Sequence, residues 1–277
     1  MFLWARVDVF TELQPVLTPQ VVTEVWTDPA LLSAGLAFST SALLILLAHE
    51  LGHYIACRLY RLPSTVPYFL PVPFNFGTFG AFIKIRAPIR SKAELFDVGI
   101  AGPLAGFVML IPFLLYGVWR SEVVPLDHPG ALPGGVFVPG RCLVMELAVR
   151  LFHGPTPDGM VLQLHPFAWG AWLGLFATAL NMLPLGQLDG GHILYAATGR
   201  LQRRLALPLW LGLALLSFRW TGWLLWTVIV LAIGLYHPPV YDERTPLDAR
   251  RIRVAWLGLA VFVLTFMPVP FEILPVP

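Results

Sequence analysis

Ala48-His49-Glu50-Leu51-Gly52-His53 closes an apolar run that begins at Pro29. No charged residue occurs between Pro29 and Ala48. As a helix, about 20 such residues match the roughly 30 Å hydrocarbon core of a bilayer. Two histidines and a glutamate thus stand where lipid-spanning sequence avoids charge, and ionisable residues at that depth usually mark function. His49 and His53 are four apart, so on a helix their rings share one face, one turn apart. Two imidazoles so placed can hold one zinc ion. Glu50, beside the first of them, can reach a water there as general base, which is the chemistry of a His-Glu-x-x-His pattern.

A catalytic zinc takes three protein ligands and keeps one position open. The best third candidate is Asp189, in Asn181-Met-Leu-Pro-Leu-Gly-Gln-Leu-Asp189-Gly190-Gly191-His192. It follows an uncharged segment, Phe167 to Leu188, read here as a membrane span that Pro184 and Gly186 loosen near its end. The Gly190-Gly191 pair lets backbone approach the metal side closely. The plain alternative for Asp189 is a helix-end cap. Cys57 lies one turn beyond His53 on the same face. As a fourth ligand it would close the open position, so small-residue packing is the better reading.

His49-Glu50-x-x-His53 in a membrane helix, followed far downstream by Asn181-x-x-Pro184-x-x-x-Leu188-Asp189-Gly190, resembles the site-2 protease family of intramembrane zinc metalloproteases. Ala101-Gly102-Pro103-Leu104-Ala105-Gly106 resembles the helix between these motifs in that family. The likeness covers roughly Leu31 to Tyr195. It implies one Zn2+ per chain held by His49, His53 and Asp189, with Glu50 activating water as the catalytic residue. It also implies that Asn181 lies beside the site, where it positions substrate or stabilises the oxyanion.

Composition bounds the answer independently. The 277 residues are 57% hydrophobic and 12% charged, which is far from an ordinary soluble protein. A net charge of +2 says little about nucleic acid, and no basic tract is long enough to suggest such a partner, so none is expected. The expected fold is an all-α polytopic membrane protein with about six transmembrane helices and a small membrane-associated β hairpin or loop after the first span. Residues 1–30 read as an N-terminal interfacial segment, 31–198 as the catalytic membrane core and 199–277 as C-terminal transmembrane helices, with no separate soluble domain. No basic start, short apolar stretch and small-residue cleavage site open the chain, so a removable signal peptide is not expected.

The spans are placed at about Leu31–Leu59, Leu95–Val118, Phe167–Leu188, Ala206–Phe218, Thr221–Tyr236 and Val254–Val269. Pro63 to Pro73 cannot be one helix, and Ala81-Phe-Ile-Lys-Ile-Arg86 alternates like a half-buried strand. Such an edge strand can pair with an unfolded substrate backbone, or it can be a connector only. Gly99, Gly102 and Gly106 recur at helical spacing, so another backbone can press against that face. Arg120 to His165 reads as a polar loop holding a short amphipathic helix, with Leu143, Leu147 and Leu151 on one face. His128, His153, His165 and His237 read as surface or capping residues. His192 can orient a metal ligand, contact substrate or pack at a helix end.

With the exit of the first span placed in the cytoplasm, Arg6, Arg120, Arg141, Arg150 and Arg219 fall on the other side, leaving 13 of the 18 lysines and arginines inside. The positive-inside rule then favours both termini outside and an active site towards the cytoplasmic side; the location expected is the inner membrane of a prokaryote. The partners implied are the bilayer and a membrane protein with a transmembrane segment; a regulatory partner is not specified. The competing class is a non-enzymatic metal-binding or transport protein of the membrane. It accounts for buried His and Asp, but not for a glutamate adjoining the first histidine, and the other spans lack a polar file.

Overall fold

The Asp28 carboxylate accepts from the amides of Ala30 (2.8 Å) and Leu31, and Pro29 occupies the first turn, so the chain enters a helix at once. That helix, α1, runs Pro29–Leu59 and carries His49, Glu50 and His53 in its last three turns. The computed structural model describes residues 23, 26–71, 78–126, 136–199 and 201–274. The expected interfacial segment 1–30 and His128 therefore fall almost wholly outside the described residues.

After α1 come strands β1 (Tyr68–Pro71) and β2 (Thr78–Phe82), which pair antiparallel with Tyr68 opposite Phe82. This is the hairpin expected after the first span. Helix α2 (Lys92–Trp119) begins at Ser91, whose hydroxyl accepts from the Glu94 amide, while Glu94 reaches back to the Arg90 amide. The chain continues through β3 (Glu122–Pro125), β4 (Val136–Pro139), α3 (Leu143–His153) and β5 (Met160–Gln163). It then forms α4 (Pro166–Asn181), α5 (Asp189–Thr198), α6 (Leu201–Leu216), α7 (Gly222–Ile233), α8 (Ala249–Thr265) and β6 (Phe271–Leu274).

Among the described residues, α1 and α2 are the two helices long and apolar enough to cross a membrane. They approach closely because small residues meet: a Cβ on Gly52 would lie 2.4 Å from the Ala101 carbonyl oxygen. Helix α4 closes the group in the same way, with Gly170 against Ser41 of α1 and Ala168 against Gly117 of α2. The largest buried cluster lies among α1, α2, α3 and α4, around Phe38, Ile45, Leu110, Leu114, Met145, Trp172 and Leu175.

Three expectations need correction. The fold is mostly helical but not all-α: β3 pairs with β5 and β4 with β6, both antiparallel, so the stretch read as a polar loop is built from two small sheets. Val123, Val124, Val136, Val138 and Val161 supply the β-branched residues that suit strands. The span placed at Phe167–Leu188 is not one helix. It ends at Asn181, because Pro184 and Gly186 (φ +54°) interrupt it, and a new helix starts at Asp189. The basic stretch from Gly199 to Arg204 reads as a turn in sequence, but Gly199 (φ +59°) ends α5 and α6 already begins at Leu201. Finally, α3 forms as expected but turns Leu143, Leu147 and Leu151 outward and buries Met145, Ala148 and Val149.

Candidate metal centre

Helical geometry brings the α1 histidines together as their spacing requires: the ring centroids of His49 and His53 lie 4.8 Å apart. The ring orientations follow from their partners. His53 Nδ1 lies 2.7 Å from the Val98 carbonyl oxygen on α2, which can only accept, so Nδ1 carries a proton and Nε2 is the nitrogen that offers a lone pair in the neutral ring. That lone pair faces inward. His53 Nε2 is 3.1 Å from His49 Nε2 and 3.3 Å from Asp189 Oδ2, and His49 Nε2 is 3.2 Å from the same carboxylate oxygen.

Three electron-pair donors thus form a near-equilateral triangle of 3.1–3.3 Å edges. A tetrahedral zinc with bonds of about 2.0–2.1 Å spaces its ligands about 3.3 Å apart, so the donor set fits that ion. Without a metal cation, a proton on a histidine ring must take its place between these donors, since lone pairs left facing each other in a buried place are costly. The ligand atoms of His49, Glu50 and His53 all lie within 4.8 Å of one another. Glu50 is buried on the same helix.

Asp189 is the first residue of α5, preceded by Leu188 at the cap position, and its carboxylate is directed at the histidines rather than at the helix's own amides. It reaches this place because Gly190 and Gly191 let the start of α5 press on carbonyl oxygens of the 182–188 segment. A Cβ on Gly190 would lie 2.0 Å from Met182 O, and one on Gly191 would lie 2.4 Å from Gly186 O. Asn181, the last residue of α4, places Nδ2 3.3 Å from His49 Nε2.

The glycines of α2 read as a packing face have a more specific task. A Cβ on Gly102 would fall 2.1 Å from His53 Nε2, one on Gly106 would fall 3.2 Å from His49 Cβ, and one on Gly99 would fall 3.0 Å from His192 Cβ. Each glycine leaves room for one histidine at or next to the site.

Other sequence candidates sort clearly. Cys57 is fully buried against Ala56, Leu62 and Val98, as packing requires. His165 caps α4 by accepting from the Phe167 amide, and His153 Nε2 donates to the Val118 carbonyl. His237, expected as a surface or capping residue, is instead buried at 4% exposure. Its ring stacks on Tyr195 of α5 and lies 2.7 Å from His192 Nδ1. Burial holds it below the ordinary imidazole value, so it is neutral at pH 7. No local pattern around His237 signals this, because both partners come from α5.

A second set of polar contacts lies at the same end of the bundle. Arg251 of α8 grips Asp97 of α2 through Nε (2.9 Å) and an η nitrogen (2.6 Å), and it also meets Tyr60 and Asp248. This ties α8 to the end of α1 and the start of α2.

The sequence profile of peptidase family M50 matches residues 37–217. The chain is 31% identical over 66% of its length to a probable chloroplastic zinc metalloprotease EGY1 of rice, covering 34% of that protein. It is 29% identical over 87% of its length to a probable chloroplastic zinc metalloprotease EGY2 of Arabidopsis thaliana, covering 43% of it. The Arabidopsis protein named EGY1 matches at 29% over 91% of this chain and 48% of its own length. The chain therefore spans a third to a half of the length of these curated relatives. The profile match covers both halves of the donor triangle, and the chain belongs to peptidase family M50, the site-2 protease family that its motifs resemble.

Proposed function

We propose that this chain is a zinc-dependent membrane endopeptidase that hydrolyses peptide bonds in or next to transmembrane segments of other membrane proteins. The observation that carries the reading is the convergence of His49 Nε2, His53 Nε2 and Asp189 Oδ2 within 3.1–3.3 Å, with Glu50 buried beside them. His49, His53 and Asp189 are the metal ligands in this reading. Zinc, when bound, supplies Lewis acidity and lowers the pKa of water towards neutrality.

The chain's own residues do the rest. The Glu50 carboxylate takes a proton from the attacking water and returns it to the departing amine nitrogen, so products leave as carboxylate and ammonium with no net proton to dispose of. The Asn181 amide, at the rim of the donor triangle, is placed to donate to the oxygen that gains charge. Peptide bonds in a substrate helix are shielded by their own hydrogen bonds, so cleavage requires local unwinding, favoured by helix-breaking residues near the cut. The β1–β2 hairpin next to α1 offers a strand edge on which an unwound segment can lie.

The six-span arrangement belongs to this proposal. Helices α1, α2, α4, α6, α7 and α8 each start within about five residues of an expected span. The excess of Lys and Arg on the side of the zinc motifs supports an active site facing the positively flanked compartment. A transport role is not favoured, since it gives Glu50 no task.

The test is cleavage of single-span membrane peptides by the purified full chain in detergent. Wild type is compared with Glu50→Gln and with chelator, and metal is measured on the same samples. The expected result is turnover with about one zinc per wild-type chain, loss of turnover on chelation, and zinc without turnover in Glu50→Gln. Cleavage by Glu50→Gln would refute the mechanism.

A further inference from the structure

Helix α5 is ten residues long and starts at Asp189, directly after a non-helical stretch. Its first turn has no side-chain cap, so what holds it in register must come from the side. Asp189, His192 and Tyr195 follow at intervals of three and lie along one side of α5. The first meets the α1 histidines. The second and third meet His237, from the loop at 234–248 between α7 and α8.

The protonation of this pair is fixed by its surroundings. His237 Nδ1 lies 2.5 Å from the Pro238 carbonyl oxygen, which can only accept, so His237 carries its proton on Nδ1 and offers Nε2 as acceptor. His192 Nδ1, 2.7 Å away, must then be the donor. His237 is held on three further sides: its backbone amide donates to Gln202 of α6, its ring lies 4.3 Å from the Tyr195 ring, and Tyr195 donates to Glu243 of the same loop at 2.6 Å. On the opposite flank, His192 rests against Gly99 of α2, next to Val98, whose carbonyl holds His53. The backbone at 98–99 is thus shared between a ligand of the triangle and the helix that delivers another.

We propose that His192 and His237 are positioning residues whose hydrogen bond braces the first turn of α5 and so sets how tightly Asp189 completes the metal centre. The proposal rests on the zinc-protease reading above. It makes the 234–248 loop, which contributes no ligand to the triangle, a determinant of metal retention. Partners behind metal ligands typically change affinity by about 10–100-fold, and a brace one turn removed from the ligand belongs at the lower end of that range.

The experiment measures zinc retention of the full chain in detergent against a graded series of a competing chelator, with helicity by circular dichroism on each sample. His192→Phe and His237→Phe keep ring bulk and remove the hydrogen bond. His192→Asn keeps a donor near the Nδ1 position, and His237→Gln keeps an acceptor near Nε2. The expected result is an about tenfold loss of zinc retention in either Phe variant, no further loss in the double Phe variant, and recovery of most of it in the Asn and Gln variants. A role in packing alone predicts the reverse order, with Phe tolerated and Asn and Gln impaired, and that order would overturn the proposal. If a Phe variant does not fold, the Asn and Gln variants decide alone: retention near wild type supports the brace, and loss of zinc sinks it. Wild-type zinc content separates the two readings. An empty wild type refutes the zinc protease, whereas a loaded wild type whose variants rank by bulk refutes only the brace.

Discussion

Replacing Gly102 by alanine adds one methyl group at the most confined point of the protein. The new Cβ would sit 2.1 Å from His53 Nε2, 2.4 Å from Cδ2 and 2.5 Å from Cε1. Non-bonded contact begins at about 3.5 Å, so ring and methyl must separate by more than about 1 Å. Metal sites tolerate about 0.2 Å in ligand distance. The ring cannot swing away without leaving the Val98 carbonyl, 2.7 Å from Nδ1, and α2 cannot retreat without losing Ala101 against Gly52. One of the three proposed ligands is thereby displaced. We expect Gly102→Ala to lower zinc affinity at least about 100-fold, or about 2.7 kcal/mol, and to abolish turnover. Helix content should persist, since alanine is the better helix former. Gly106→Ala is the graded control: its Cβ meets His49 at 3.2–3.4 Å, which a shift of a few tenths of an ångström relieves, so it should lose only a small part of the affinity. The assay is chelator competition on purified protein with circular dichroism alongside. A Gly102→Ala protein with wild-type zinc affinity and turnover would refute the geometry on which the site is built.

Three further outcomes follow from the contacts. Asp189→Asn should keep the shape of the first turn of α5 but lose zinc in the same competition assay; wild-type retention would remove Asp189 from the ligand set. Asn181→Ala should lower kcat by about 10²–10³ while zinc content stays at the wild-type level, and an unchanged kcat would show that the amide does not serve the oxyanion. Asp97→Asn should weaken the grip of Arg251 on α2 and lower stability by up to about 1 kcal/mol, with the difference shrinking at high salt; a melting temperature that ignores both would leave that tie without energetic weight.

Much of the site was legible because it rests on local geometry. The four-residue spacing of His49 and His53 dictates their shared face, and Pro184 with Gly186 announced a break before Asp189. What stayed hidden depends on contacts between distant segments. The recurrence of Gly99, Gly102 and Gly106 signalled a close approach, but not that a histidine would face each one. The pairing of β4 with β6 joins residues 136–139 to 271–274, and no window of sequence contains both. His237 sits beside two prolines in a charged loop and looks exposed until α5 brings His192 and Tyr195 against it. The Leu143, Leu147 and Leu151 stripe illustrates a different limit. Helical periodicity finds an apolar face, but in a chain at home in lipid the apolar face need not be the buried one.

The order in which the donors occur along the chain governs when the centre can exist. His49 and His53 are synthesised first, and roughly 136 residues separate His53 from Asp189, which takes about 7 to 27 seconds at about 5–20 residues per second. Until α5 has emerged, the histidine pair lacks the carboxylate that completes the triangle. The 234–248 loop that carries His237 leaves the ribosome later still. Completion of the triangle is therefore a late event in the life of the nascent chain. A half-made molecule therefore carries Glu50 without the completed donor triangle beside it.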